Sequence, residues 1–237
     1  MSVPATAMVL AAGLGLRMRP LTLERPKPLV EVGGRALIDR ILDHLAAAGV
    51  ATAVVNVHHL ADKLRAHLVR RMQPRIVLSD ETGELLETGG GVTKALPLLG
   101  PAPFLVLNGD VLWQDAGIPT LIDLAGSWRD EAMDALLLMQ PTATALGYDG
   151  LGDFFMDSTG RLARRKIGVA PFLFAGIQML HPRLFAGCRI ERFSLNRLYD
   201  RAAENGRLYG ARHLGRWMHV GTPADLAAAE LALARER

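Results

Sequence analysis

The feature of this 237-residue sequence that most restricts its fold is a short apolar run near the start, closed by a glycine. Residues 7–12 are all apolar, and Gly13 follows them. An unbroken run of this kind is typical of a strand buried on both faces of a parallel sheet. The glycine allows a sharp turn directly after the strand. We therefore predict a central parallel strand that delivers a loop to one edge of a sheet.

Short β-rich runs alternate with helical patterns through the rest of the first half. Gly49 and Pro74 end two segments in which apolar residues recur at helical spacing. The predicted elements are strands 52–57, 75–79 and 104–108 and helices 37–48 and 60–72. Such alternation implies right-handed strand–helix–strand units. The predicted fold class is α/β, a Rossmann-like three-layer α/β/α architecture with a mostly parallel central sheet.

The second half continues with shorter elements and a hairpin. The pattern predicts a helix at 119–128, strands at 135–139 and 173–180, a hairpin at 154–166, and helices at 194–205 and 224–235. Thr222 and Pro223 are typical of a helix N-cap followed by a first-turn proline. No repeat or linker interrupts the pattern, so we expect residues 1–237 to form one domain.

Composition restricts the partners of the chain. The net charge is only +3, and the basic residues are too scattered for a nucleic-acid site. Scattered positive charge suits small polyanionic substrates better. Cys188 is the lone cysteine, which suits a reducing cytoplasm. The sequence has no secretory n-region and no apolar run long enough for a membrane span. We expect a cytoplasmic monomer or small homo-oligomer with no nucleic-acid or membrane partner.

The segment that carries the chemistry is residues 10–29, LAAGLGLRMRPLTLERPKPL. Its glycines would let backbone N–H groups approach phosphate oxygens. Arg17 offers a planar fork for phosphate and Lys27 a mobile point charge. A dinucleotide fingerprint, and with it an NAD(P) oxidoreductase, would need glycine where Met18 stands, and the P-loop pattern is absent. A tight turn with surface arginines is the remaining alternative.

This stretch resembles the signature of the sugar-phosphate nucleotidyltransferases. That family includes glucose-1-phosphate thymidylyltransferases, mannose-1-phosphate guanylyltransferases and N-acetylmuramate-1-phosphate uridylyltransferases. Glu87–Gly91 looks like the family's glycine loop, Asn108–Asp110 lies where the family carries its metal-binding aspartate, and Phe174–Ile177 looks like the strand before its sugar-side helix. The resemblance implies the nucleotide-diphospho-sugar transferase fold. Residues 1–115 would form the nucleotide-binding part and 116–237 the sugar-binding part.

The resemblance also implies a reaction. A phosphate oxygen of a sugar 1-phosphate attacks the α-phosphorus of a nucleoside triphosphate, and pyrophosphate leaves. Because the nucleophile is already an anion, catalysis consists mainly of gathering and stabilising negative charge. Arg17 and Lys27 are the expected catalytic residues, on the leaving β/γ-phosphates and near the α-phosphorus. Asp110 is expected to hold Mg²⁺ or another divalent ion, since carboxylate oxygen suits a hard cation.

Further site residues follow from the same resemblance. The expected nucleotide-binding residues are Leu10, Ala11, Ala12, Gly13, Gly15, Glu87 and Gly90. The expected sugar-binding residues are Asn108, Asp153, Lys166 and Gly176. Backbone groups of Ala12, Gly13 and Gly90 would read the base edge, while Glu87 would contact the base or the sugar. Lys166 lacks the Glu-Lys-Pro context that is usual for the family's sugar-phosphate lysine.

One position departs from the family pattern. Relatives commonly have Trp-x-Asp-x-Gly-Thr near the C-terminus, with the aspartate as second Mg²⁺ ligand, whereas this chain has His219 in that place. Imidazole is a poor ligand for Mg²⁺ and a better one for Mn²⁺, Co²⁺ or Zn²⁺. Four alternatives stay open: metal held by Asp110 and phosphates alone, a softer metal bound by His219, His219 on a phosphate, or a histidine that only packs.

The substrate pair follows from the branch that the sequence resembles. We expect a chain without the C-terminal β-helix that many relatives append, and residues 87–91 and 152–154 look most like the N-acetylmuramate-1-phosphate uridylyltransferases. The expected reaction is UTP with N-acetylmuramate 1-phosphate, giving UDP-N-acetylmuramate for peptidoglycan recycling. Two alternatives are a mannose-1-phosphate guanylyltransferase-like enzyme and a non-catalytic nucleotide-sugar sensor.

Replacing His219 tests the departure directly. We expect His219→Asp to keep or raise Mg²⁺-dependent turnover, because a carboxylate suits that cation better than imidazole does. Pyrophosphate release with Mg²⁺ and with Mn²⁺ checks the expectation. A loss of more than about tenfold would show that His219 has a role of its own.

Overall fold

A computed structural model of the chain describes residues 2–235. The strands are β1 Thr6–Leu10, β2 Glu31–Val32, β3 Arg35–Ala36, β4 Thr52–Val57, β5 Arg75–Asp80, β6 Phe104–Asn108, β7 Leu112–Gln114, β8 Ala135–Pro141, β9 Phe154–Met156, β10 Leu162–Arg164, β11 Phe172–Leu180, β12 Leu208–Arg212 and β13 Arg216–Met218. The α-helices are α1 Leu21–Glu24, α2 Leu37–Ala47, α3 Ala61–Leu68, α4 Glu87–Leu99, α5 Thr120–Gly126, α6 Asn196–Glu204 and α7 Pro223–Ala234. Within residues 2–235, no helix is long and apolar enough to cross a membrane.

The main sheet contains strands from both halves of the chain. Its order is β10-β9-β11-β6-β1-β4-β5, and β8 pairs with both β11 and β12. Strands β6, β1, β4 and β5 are mutually parallel. Strand β11 runs antiparallel to β6 and β8. The predicted α/β class with a mostly parallel sheet is confirmed, and the antiparallel pairs are contributed by the second half.

Helices cover both faces of this sheet, because successive side chains of a strand point to opposite sides. Ala7 and Val9 pack in a cluster with residues of α2, α3 and α5. Met8, between them, packs in the second cluster with residues of α4 and α6. All three side chains are fully buried. The predicted three-layer α/β/α arrangement is therefore present, and β1 is buried on both faces as its apolar run indicates.

A third, smaller core attaches the C-terminal helix to the segment after β1. Met18 and Val30, from that segment, pack in one cluster with Met218, Val220 and Ala229. Thr222 accepts a hydrogen bond from the Asp225 amide, and Asp225 accepts one from the Thr222 amide, so α7 begins with a capping box. The predicted Thr222 N-cap is thus confirmed.

The structure differs from the sequence predictions at several elements. Helix α3 ends at Leu68 instead of continuing to Met72, whose side chain is exposed. Without a buried face beyond Leu68, the apolar spacing there has nothing to pack against.

Strand β12 was missed. It is short and contains Gly210, so its pairing with β8 depends on tertiary contacts rather than on local propensity.

The prediction of a glycine loop at residues 87–91 is wrong, because these residues form the start of α4. Each glycine makes room for a neighbour. A Cβ on Gly89 would lie 2.3 Å from the Phe193 ring, one on Gly90 would lie 2.0 Å from the Glu191 carbonyl oxygen, and one on Gly91 would lie 2.8 Å from Glu81 Oε1. Glycine lowers the stability of a helix, and the close packing that these three glycines allow offsets that loss.

Alanine substitutions in two helices test this account. We expect Gly90→Ala to lower the free energy of unfolding by about 1–3 kcal/mol, since the added methyl meets a backbone oxygen. Gly126→Ala is the matched control, because that helical glycine has open space where its Cβ would lie. Urea unfolding of both variants provides the measurement. Equal stability of the two variants would contradict the packing role of Gly90.

Candidate active site

The site begins where β1 and β6 end side by side. The two strands are parallel neighbours, with Leu10 in register with Asn108. The Gly109 amide donates a 2.8 Å hydrogen bond to the Leu10 carbonyl. A Cβ on Gly109 would lie 2.6 Å from that oxygen, so glycine is required for the approach. This contact places Asp110 directly beside the loop that leaves β1.

That loop folds back on itself around Gly15. Gly15 has a φ of +61°, and a Cβ there would lie 2.9 Å from Thr22 Cγ2 and 3.2 Å from Lys27 Cβ. The Thr22 hydroxyl donates a 2.8 Å hydrogen bond to the Gly15 carbonyl. The Thr22 carbonyl oxygen lies 3.0 Å from His59 Nε2 and accepts a hydrogen bond from it. The fold-back brings Lys27 against the glycine turn.

Lys27 and Asp110 meet across the mouth of this loop. Lys27 Nζ lies 2.6 Å from Asp110 Oδ2. Only 11 % of the Lys27 side chain is exposed, against 39 % for Asp110. A nearly buried ammonium group requires a partner, and the carboxylate supplies it. The pair thus holds a cation and an anion at one point of the sheet edge.

A cavity of about 680 Å³ opens at this edge. The sequence-predicted residues that line it are Leu10, Ala11, Ala12, Gly13, Gly15, Arg17, Lys27, Glu87, Asn108 and Asp110. Both expected catalytic residues and the expected metal ligand therefore share one cavity. Other lining residues belong to motifs identified in the sequence, although no role was predicted for them: Leu16, Met18, Pro28, Thr88, Gly109 and Gly221. The lining residues that the sequence analysis missed are Asn56, Glu81, Leu85 and Ser194.

Asn56 and Glu81 are buried polar residues behind the loop. Glu81 Oε1 accepts a 2.7 Å hydrogen bond from Asn56 Nδ2, and Asn56 Oδ1 accepts a 2.6 Å bond from the Ala11 amide. Both residues are at most 3 % exposed. These two hydrogen bonds hold the first amide of the loop in place. The Ala11 N–H is bonded to Asn56 and is therefore not available to a ligand. An asparagine within the otherwise apolar run 53–57 was the sequence signal that could have identified it.

The other sequence-predicted residues lie outside the cavity lining. The Gly90 amide donates to the Phe193 carbonyl at 3.2 Å, so it is not free for a base. Lys166 is exposed on the segment after the hairpin. Gly176 lies against Asn108, with its missing Cβ 3.1 Å from Asn108 Nδ2. Asp153 Oδ2 accepts a 2.9 Å hydrogen bond from the Phe174 amide.

His219 stands behind Gly221 at the cavity edge. Its Nε2 would lie 2.1 Å from a Cβ on Gly221, and it is 3.7 Å from Asp225 Oδ2. Partial burial lowers the pKa of His219, as do the charges of Arg17 and Lys27, while Asp225 and Asp110 act in the opposite direction. The imidazole is therefore held towards its neutral form, within the field of the predicted reaction residues.

The chain is similar in sequence to known nucleotidyl transferases. A family model for nucleotidyl transferases matches residues 6–161. An N-acetylmuramate alpha-1-phosphate uridylyltransferase of Caulobacter vibrioides is 47% identical over 236 residues, 98% of each chain. The protein of that name from Neisseria meningitidis serogroup B is 35% identical over 229 residues, 94% of this chain and 96% of its own.

The fold also matches a solved structure. A UDP-glucose pyrophosphorylase complexed with UDP-glucose superposes with a TM-score of 0.80 at 14% identity, over 98% of this chain and 99% of the other. At that identity the likeness shows the shared fold alone. The segment matched by the family model, residues 6–161, includes the loop after β1 and the Lys27–Asp110 pair. The chain belongs to the nucleotidyl transferase family.

Proposed function

We propose that the chain transfers a nucleotidyl group from a nucleoside triphosphate to a sugar 1-phosphate, giving a nucleotide sugar and pyrophosphate. The observation that carries the proposal is the convergence of Arg17, Lys27 and Asp110 on one cavity beside the Gly15 turn. A cavity of this kind, with a few charged groups on a largely apolar lining, is typical of small-molecule sites.

In the proposed reaction, one bond forms and one breaks at the α-phosphorus. A phosphate oxygen of the sugar 1-phosphate attacks in line, and the bond to the β-phosphate oxygen breaks, so that pyrophosphate carries away the electron pair. Arg17 binds the β/γ-phosphates as their negative charge increases. Lys27 contacts the α-phosphate, released in part from Asp110. No proton has to be removed from the nucleophile, because it is ionised at neutral pH.

Asp110 is the residue that would hold a divalent cation. Within residues 2–235, no group of three or more His, Cys, Asp or Glu side chains is placed to bind a metal. A single carboxylate fits Mg²⁺, which commonly uses one or two carboxylates, water and substrate phosphates. When bound, the ion would neutralise phosphate charge. His219 points its Nε2 at Gly221 and Asp225, and we propose only a secondary contribution for it, in sites loaded with Mn²⁺ or another softer ion.

The order of strands along the sheet edge suggests how the two substrates are arranged. Glu81 and Asn56 belong to the β5 and β4 side of the cavity, whereas Asn108 belongs to β6, next to β11. We assign the nucleoside to the β4–β5 side, near Ala12, Gly13 and Glu87. We assign the sugar to the β6–β11 side, with Asn108 and Gly176 beside it. The phosphates then lie between, over Arg17 and Lys27.

UTP and N-acetylmuramate 1-phosphate are the proposed substrates. The names of the two relatives at 47% and 35% identity support this pair, because both cover nearly the whole chain. Base and sugar selection depends on few contacts, so the pair needs a direct test.

The test is pyrophosphate release in a matrix of substrates. UTP, GTP, dTTP and CTP are each combined with the 1-phosphates of N-acetylmuramate, N-acetylglucosamine, glucose and mannose, with Mg²⁺ or Mn²⁺. We expect the highest kcat/KM for UTP with N-acetylmuramate 1-phosphate. A preference for GTP with mannose 1-phosphate would move the chain to the guanylyltransferase alternative. Silence throughout, with nucleotide binding retained, would support a non-catalytic sensor.

Removal of one charge tests the role of Lys27. We expect Lys27→Met to reduce kcat by about 10²–10³, the effect typical of losing one transition-state contact to a developing anion. Steady-state kinetics on the best substrate pair provide the measurement. Lys63→Met is the control, since that lysine is exposed on α3 and outside the cavity lining. Unchanged kcat in Lys27→Met would remove Lys27 from the reaction.

A further inference from the structure

Strand β11 is interrupted at the point where it passes the active-site edge. Phe174 is in register with Met139 of β8, but Gln178 is in register with Leu137. Residues 175–177 of β11 therefore oppose the single residue Leu138. Such bulges bend a strand and re-aim its residues, and they are common beside active sites.

Two side chains from outside the ladder hold this bulge. Asp153 Oδ2 accepts a 2.9 Å hydrogen bond from the Phe174 amide. Trp217 Nε1 donates a 3.0 Å hydrogen bond to the Ala175 carbonyl. The two residues lie far apart in sequence, one before the β9–β10 hairpin and the other in β13. Each side chain thus pairs with one backbone group at the start of the bulge, the Phe174 amide or the Ala175 carbonyl.

Asp153 is itself fixed in place. Its amide donates a 2.7 Å hydrogen bond to the Phe172 carbonyl, and its carbonyl accepts one of 2.7 Å from the Arg165 amide. Trp217 is 7 % exposed. Both residues therefore act on the bulge as rigid supports rather than as mobile surface groups.

The bulge brings Gly176 against the cavity wall. Gly176 has a φ of +79°, and a Cβ there would lie 3.1 Å from Asn108 Nδ2. Asn108 lines the cavity at the end of β6, two residues before Asp110. A displacement of the bulge would therefore move the wall on the side assigned above to the sugar, and would leave the nucleoside side, at β4 and β5, unaffected.

We propose that Asp153 and Trp217 are positioning residues for the sugar 1-phosphate. They hold the β11 bulge so that Gly176 and Asn108 form a fixed wall for the sugar. The inference rests on the proposed function, and it changes the expected role of Asp153. The carboxylate acts as a hydrogen-bond acceptor for the Phe174 amide and not as a charged contact to the sugar.

Paired substitutions separate these two roles. We expect Asp153→Ala to raise the KM for the sugar 1-phosphate by about tenfold, as the loss of a partly buried hydrogen-bond partner implies, with the KM for the triphosphate unchanged. Asp153→Asn keeps a neutral acceptor oxygen and should restore the sugar KM. Asp157→Ala is the control in the adjacent β9–β10 hairpin, because the Asp157 carboxylate accepts hydrogen bonds from the Thr159 and Arg161 amides of its own turn.

A second readout does not depend on turnover. The chain has seven phenylalanines, so labelling with ¹⁵N-phenylalanine gives a simple amide spectrum. We expect the Phe174 amide to exchange slowly in the parent chain and in Asp153→Asn, and quickly in Asp153→Ala. Trp217→Phe, which removes the donor to Ala175 but keeps an aromatic ring, should also raise the sugar KM selectively.

Three results would overturn the proposal. They are an Asn variant as impaired as the Ala variant, an equal rise in both KM values, or fast exchange at Phe174 without a change in sugar KM. Failure of the proposed function is distinguishable, because the parent chain would then release no pyrophosphate with any pair. In that case the Phe174 exchange rates alone test whether Asp153 holds the bulge. Equal rates in the parent chain and in all variants would overturn that role of Asp153.

Discussion

The hydrogen bond from the Gly109 amide to the Leu10 carbonyl is the contact on which the site depends. It continues the parallel pairing of β1 and β6 one residue beyond the last strand position. Because parallel strands end at the same edge, the loop after β1 and the turn after β6 must emerge together. Lys27 and Asp110 then lie close enough to pair, although they are 83 residues apart in sequence.

The order of the strands along this edge also determines the order of the groups that line the cavity. Each strand contributes one part: Glu81 and Asn56 on the β5 and β4 side, the glycine turn from β1, Asp110 after β6, and the bulge of β11 beyond it. This order matches the arrangement proposed above, with the nucleoside at β4 and β5, the phosphates in the middle and the sugar at β6 and β11. The C-terminal segment contacts two parts of this edge. Met218 and Val220 pack with Met18 of the loop, and Trp217 donates a hydrogen bond to the Ala175 carbonyl in the bulge.

The sequence predicts the parts of the structure that local chemistry determines. Strands 52–57 and 104–108 have the predicted bounds, and residues 10–13, residues 15–18 and Lys27 of the predicted segment line the cavity. The glycines at 89–91 were misread, because glycine signals a loop locally and only tertiary packing of Phe193 and Glu191 explains them inside a helix. The Asn56–Glu81 chain and the Asp153 contact to β11 join residues distant in sequence. The asparagine in the apolar run 53–57 indicates a buried polar group, but no local pattern identifies the partners of these hydrogen bonds.

The central claim is that one nucleotide lies along the edge where β1 and β6 end. Mass-spectrometric hydrogen exchange of the chain, with and without UTP and Mg²⁺, tests it most directly, because bound phosphates and base protect the amides that they contact. The account predicts slower exchange together in residues 10–29, 81–91 and 108–111. Protection confined to residues 114–116 and 214–216, which line a separate cavity of about 480 Å³, would contradict it.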